Sequence, residues 1–181
     1  MDRGGQRPVI LVGVGGSGAS HAALAWAARE ARRRQARLRV VQAWQPHPAR
    51  ALYAGTGNLA APSTQATAAE RLDLEVGSVL ASTPGVSATD IDLVVELVNG
   101  PAERVLAEAS ASADLLVLGS GVQSPVAQPD PLIVDRPVGP VIRACMSHAR
   151  CPVVIINPMM ATGRGPDPAG SVAQAPACAR S

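Results

Sequence analysis

The stretch Pro8-Val9-Ile10-Leu11-Val12-Gly13-Val14-Gly15-Gly16-Ser17-Gly18-Ala19-Ser20-His21 limits the possible folds most sharply. Val9 to Val14 form a continuous apolar run, the pattern of a parallel strand buried on both faces. Glycines follow at once, and an alanine-rich segment with helical spacing follows them. A buried strand, a glycine turn and a helix in that order set backbone N–H groups at a helix N-terminus, where they can meet an anion. Gly13, Gly15 and Gly18 also spell Gly-x-Gly-x-x-Gly, the fingerprint of a dinucleotide-binding turn.

The same alternation runs through the rest of the chain. A first helix is expected from Ser20 to Arg34, with Leu24, Ala27, Ala28 and Ala31 on its apolar face. Its end, Arg32-Arg33-Arg34 with Arg37 and Arg39 nearby, reads as a solvated helix C-terminus whose cations suit the dipole. The sharper reading is a basic patch for an anionic partner. A second strand is expected over Leu38 to Trp44, a loop over 45–62, and a second helix over Ser63 to Ala81, its apolar face carrying Ala66, Ala69, Leu72, Val76, Val79 and Leu80. Ser82-Thr83-Pro84-Gly85 stops that helix. A third strand follows over Ile91 to Val98. Asn99-Gly100-Pro101 opens a third helix with Pro101 in its first turn, and Val105, Leu106 and Ala109 face inward. A fourth strand, Leu115 to Leu118, ends on Gly119. Residues 120–137 form a long loop bearing Pro125, Pro129, Pro131 and Pro137. A fourth helix over Val138 to His148 and a fifth strand over Pro152 to Ile156 complete the pattern. Five short apolar strands with helical crossovers imply one α/β domain over residues 8–157, an open parallel sheet with helices on both faces. Residues 1–7 are expected as a flexible N-terminus. Residues 158–181, rich in Gly, Pro, Ala and Ser without periodicity, are expected as a disordered tail.

In such sheets ligands sit at the carboxyl ends of the strands, where the strand order reverses. Glycines fall there twice, at Gly13 to Gly18 and at Gly119 with Gly121. Composition removes other chemistries. The basic residues number 16 and every one is Arg, so a Walker A lysine and a Schiff-base lysine are both absent. The net charge of +2 is too small for a phosphate-tracking surface, and aromatic residues at 2% give no stacking platform for single strands. Neither a nucleic-acid nor a membrane partner is expected. No apolar run approaches the roughly 20 residues of a membrane span, and Met1 to Arg7 is too short and polar for a signal peptide. Cys145, Cys151 and Cys178 are odd in number, which fits a reducing, cytoplasmic compartment.

The sharper constellations each have a plainer reading. A dinucleotide site needs an acid at the end of strand 2 to hold the ribose. There stand Ala43-Trp44-Gln45-Pro46-His47, and the next acid is Glu70; Arg50 leaves room for an NADP 2′-phosphate. Ser17, His21 and His148 lack a third orienting group for catalysis, so Ser17 or Ser20 is read as the helix cap and His21 as a surface residue. Cys145-x-x-His148-x-x-Cys151 supplies three metal ligands without a fourth, so no structural metal is expected. Cys145 is assigned to the core, and Trp26 and Trp44 to packing.

Several blocks in fixed order resemble the universal stress protein family. They are Ile10 to Ser17, Ala22 to Ala28, Ala36 to Trp44, Asn99 to Ala102, Ala113 to Ser120 and Cys151 to Ile156, covering about residues 7 to 157. The resemblance implies strand order 3-2-1-4-5, a switch point between strands 1 and 4, and a homodimer often paired through strand 5. The uncharged apolar run Val153 to Ile156 suits a paired edge. Family members that bind ATP carry an Asp in the turn after strand 1, then Gly-x-x-Gly, a nine-residue spacer, and Gly followed by Ser or Thr. Here Gly15 stands at the Asp position, Val122 at the second glycine, and Pro140 at the Ser or Thr. The spacer has lengthened to residues 123–138 and includes Asp130 and Asp135. Val122 resists positive φ and Pro140 lacks an N–H. The expectation is therefore a stress-response module that binds a small ligand or a partner, with a degenerate ATP motif and without robust catalysis. The alternative is a working adenine-nucleotide binder. The candidate nucleotide residues are Gly13, Val14, Gly15, Ser17, Ala43, Gly119, Ser120, Gly139 and Val141, with the backbone near Ala43 expected at the base.

Overall fold

A computed structural model describes residues 7–45, 64–120 and 139–158. The 45–62 and 120–137 loops and the 158–181 tail, with Arg50, Gly121, Val122, Asp130, Asp135 and Cys178, fall almost wholly or wholly outside the described residues.

The elements are β1 (Val9–Val14), α1 (Gly18–Arg34), β2 (Arg37–Trp44), α2 (Gln65–Ala81), β3 (Asp92–Asn99), α3 (Ala102–Ala109), β4 (Leu115–Gly119), α4 (Pro140–His148) and β5 (Val153–Ile156). Short 3-10 turns at Ala88–Asp90 and Ser110–Ser112 precede β3 and β4. All five strands are parallel, in the order β3-β2-β1-β4-β5.

Two cores flank the sheet because successive strand residues point to opposite faces. Ile10, Val12, Leu38 and Val40 pack with Ala23, Leu24, Ala27, Ala28 and Ala31 of α1 and with Leu72, Val76 and Leu80 of α2. Leu11, Val41, Leu116 and Leu118 pack with Val105 and Leu106 of α3 and Ile142 and Cys145 of α4. The alanines of α1 let that helix lie close on the sheet. On α2, Leu72, Val76 and Leu80 carry the buried face as its spacing predicts, whereas Ala66, one turn from the N-terminus, is exposed.

Helix starts follow their caps. Ser17 accepts from the Ser20 backbone N–H at 3.2 Å, and the Ser20 hydroxyl receives the Ser17 N–H at 3.0 Å. This reciprocal box starts α1 at Gly18, two positions before the predicted Ser20. Thr64 caps α2. Pro101 is the N-cap of α3 and lies outside its first turn, with extended backbone (φ −66, ψ 138). Helix α4 starts at Pro140, with Gly139 as N-cap; Val138, the predicted start, is outside the described residues.

Specific polar bonds set the registers. The Asp114 carboxylate accepts from Val9 N–H at 2.8 Å while Asp114 N–H donates to the Val9 carbonyl at 2.8 Å, joining the starts of β4 and β1. Buried Ser110 donates to the Ala107 carbonyl and accepts from Arg150 N–H at 2.9 Å, joining the end of α3 to the approach to β5. Arg39 grips Glu96 of β3 through Nε and Nη2 and also reaches the Ser112 hydroxyl. Among the described residues no helix is long and apolar enough to cross a membrane.

Candidate functional site

The site forms where β1 and β4 part. Their ladder runs from Ile10↔Leu115 to Val12↔Val117 and ends there. Beyond it Gly13 and Val14 continue beside β2, while Leu118 and Gly119 continue beside β5. This divergence opens a crevice at the carboxyl ends of the strands, at the reversal of strand order. Gly13 and Val14 end β1 and lead into Gly15 and Ser17, Gly119 ends β4 and leads into Ser120, and Gly139 and Val141 flank Pro140 at the start of α4.

The glycines at these positions differ physically. A Cβ on Gly13 would lie 2.9 Å from methyls of both Leu106 and Leu118, so these leucines close the crevice beneath it. A Cβ on Gly119 would lie 2.2 Å from the Ala19 carbonyl oxygen and 2.7 Å from Ser20 N. Gly119 therefore lets β4 lie flush against the first turn of α1. Gly16 has φ +71 and turns the chain from strand to helix. Among the described residues nothing lies within 4 Å of the position a Cβ would take on Gly15, Gly18 or Gly139.

Two helix N-termini belong to this end of the sheet. In α1 the Ser17 and Ser20 N–H groups are already bonded within the capping box. The first turn thus offers an anion fewer donors than the glycine-rich sequence implies. Helix α4 has no side-chain cap and no acid in its first turn. Pro140 has no N–H, and Arg143 N–H donates to the Gly139 carbonyl at 3.0 Å, so Val141 and Ile142 are the first-turn groups that lack an intrahelical acceptor by helix geometry. Ser120 N–H donates to the Ile156 carbonyl at 2.8 Å, extending the β4–β5 ladder. Strand β2 outruns β1: its pairing with β1 ends at Val14↔Gln42, and Ala43 and Trp44 pair with β3 alone.

One residue at the crevice has no sequence signal. Glu75 of α2 meets His21 at 2.8 Å, and its other oxygen lies 3.9 Å from the position of a Gly16 Cβ. His21 is therefore half of a side-chain hydrogen bond between helices, with 42% of its side chain exposed against 22% for Glu75, and is more than the surface residue its position predicts. The contact spans α1 and α2 and places a carboxylate beside the glycine turn. Among the described residues no three His, Cys, Asp or Glu side chains stand close enough to hold a metal ion. His148 is exposed, Cys145 lies in the core, and Cys151 is half-buried. Burial pushes both thiols up, the opposite of what a reactive thiolate needs.

The sequence profile of the Universal stress protein family matches residues 7–157. The chain belongs to this family. Solved universal stress proteins share its fold. One from Archaeoglobus fulgidus has 18% identity and a TM-score of 0.56, covering 83% of this chain and 98% of its own. The universal stress protein UspA from Lactobacillus plantarum has 26% identity and a TM-score of 0.50, covering 83% and 99%. A universal stress protein from Archaeoglobus fulgidus solved in complex with dAMP has 19% identity and a TM-score of 0.51, covering 83% and 98%. The strand order implied by the family resemblance is the order observed. In this universal stress protein the strand order reverses between β1 and β4, and the glycine turn follows β1 there.

Proposed function

We propose that this universal stress protein acts by binding an adenine nucleotide with a single phosphate, and that triphosphate binding is weak. The observation that carries this reading is the uneven supply of anion-binding groups around the crevice. The base has the end of β2 at Ala43, beyond the reach of β1, and the phosphate has the Val141 and Ile142 end of α4. Three features oppose a longer phosphate chain: the capping box occupies donors of α1, Pro140 removes one from α4, and Glu75 sets a carboxylate by the turn. The dAMP complex of the archaeal relative supports the choice of a monophosphate. The protein would work by binding, without robust catalysis, in the cytoplasm.

Calorimetry with AMP, ADP and ATP, with and without magnesium, tests this. AMP should bind at least as tightly as ATP. ATP binding about tenfold tighter than AMP, a gap of about 1.4 kcal/mol, would overturn the monophosphate reading. No binding by any nucleotide at millimolar concentration would favour a protein-interaction role. The dinucleotide reading has little support, since β2 ends on Trp44 and Gln45 follows it, with no acid there to hold a ribose.

The second part of the proposal is a homodimer through β5. Its support is an edge strand with no charged residue and Ile155 39% exposed. Ile155→Asp should turn a dimer into a monomer in light scattering, and a native chain that is already monomeric at high concentration would remove the proposal.

A further inference from the structure

The opposite end of the sheet holds a cleft of about 730 Å³, between the start of β1, the end of α1 and the start of β3. Arg7, Arg32, Arg34, Gln35, Asp90 and Asp92 give it its charge and polarity. It lies at the amino ends of the strands, so it shares nothing with the glycine crevice, and its size suits an organic ligand. Arg33 and Arg34 both bond Glu30, and with Arg33 contributing most they hold its carboxyl down at about 2. Arg37 Nε holds Asp92 at 2.9 Å. Arg32 uses one N–H on the Gly85 carbonyl, Arg34 uses its Nε on Glu30, and Arg7 approaches Asp92 only at 4.0 Å. A guanidinium has five N–H donors in a planar fork, so among the described residues most donors of these three arginines have no partner. With Glu30 and Asp92 paired to arginines, Asp90 is the one unpaired carboxylate among the described residues that line the cleft.

Gln35 adds an independent observation. It is the one non-glycine residue with positive φ among the described residues (φ 53, ψ 36). Helix ends of this kind usually place Gly or Asn there. A glutamine instead brings a free side-chain amide to the cleft wall at a cost in backbone strain. The C-terminal end of α1 would repel an anion, but its Ala31 and Arg32 carbonyls already accept from Ala36 and Gln35 N–H at 2.8 and 3.2 Å.

We propose that this cleft is a second ligand site, which binds a small phosphate-bearing polyanion through Arg7, Arg32 and Arg34, with Gln35 as a polar contact. The basic end of α1 is then more than a solvated helix terminus. The test titrates inorganic pyrophosphate into the full chain by calorimetry and follows backbone amides by NMR. Binding should perturb the amides of residues 7, 32–36 and 90–92, weaken with salt, and fall at least about tenfold in Arg7→Gln/Arg34→Gln, since charge-assisted forks carry it. Gln35→Gly should raise the melting temperature while lowering affinity, which a purely structural role would not do. Absence of binding at millimolar concentration, unchanged affinity in either variant, or shifts confined to the glycine crevice would overturn the site. The AMP titration reads the other end of the sheet, so each site can fail without the other.

Discussion

The turn after β1 and the end of β4 carry the same residue type for opposite reasons. At β4, Gly119 lies against peptide backbone, the Ala19 carbonyl oxygen standing 2.2 Å from where a Cβ would be. At β1, among the described residues nothing lies within 4 Å of that position on Gly15 or Gly18. The first is a packing requirement that any chain with this helix placement must meet. The second leaves backbone exposed at the strand ends, where a ligand can come close. A glycine motif therefore mixes fold-making and ligand-facing positions, and the atoms around each glycine separate them.

Gly119→Ala should give the largest effect. The clash is with the backbone of the first turn of α1, which cannot swing aside as a side chain can, and the loss should be on the order of 4 kcal/mol. Chemical denaturation measures it. A loss under about 1 kcal/mol would mean that α1 can slide off β4 and that the two strand ends differ less than their geometry indicates. Gly13→Ala comes next, at about 2 kcal/mol. Its new methyl meets side-chain ends of Leu106 and Leu118, which can shift at a cost in core packing. A double variant with Leu106→Val should recover part of that loss, because it removes volume where the methyl intrudes.

The sequence made the sheet legible for a simple reason. Continuous six-residue apolar runs bounded by proline and glycine, such as Val9 to Val14, suit central parallel strands, and alanines at helical spacing suit a helix lying close on them. The site was less legible because its decisive contacts join distant residues. Glu75 lies beside Gly16 across 59 positions of sequence, and no local pattern announces it. Ser17 and Ser20 are readable as caps. That both of their N–H groups are consumed follows only from the reciprocal geometry. Pro140, by contrast, loses its donor in any structure.

Gly16→Ala tests the turn itself. Its φ of +71 is a conformation that L side chains adopt at a cost of about 1 kcal/mol, and among the described residues the one atom within 4 Å of a new Cβ is a Glu75 oxygen at 3.9 Å. The cost should therefore be conformational and nearly the same in a Glu75→Gln background. A strong dependence on Glu75 would show that the His21–Glu75 contact holds the turn.

Gly15→Ala should have the smallest effect on stability, and of opposite sign. Its φ is not positive, its Cβ would meet nothing among the described residues, and removing a glycine reduces the entropy of the unfolded chain, so the variant should gain about 0.5 kcal/mol. The same methyl would stand on backbone that faces the crevice. AMP affinity should therefore fall while the melting temperature rises, a separation that Gly119→Ala cannot produce because it disturbs fold and site together. If affinity holds while stability rises, the nucleotide does not approach the turn, and its contacts belong to β2 and the start of α4 alone.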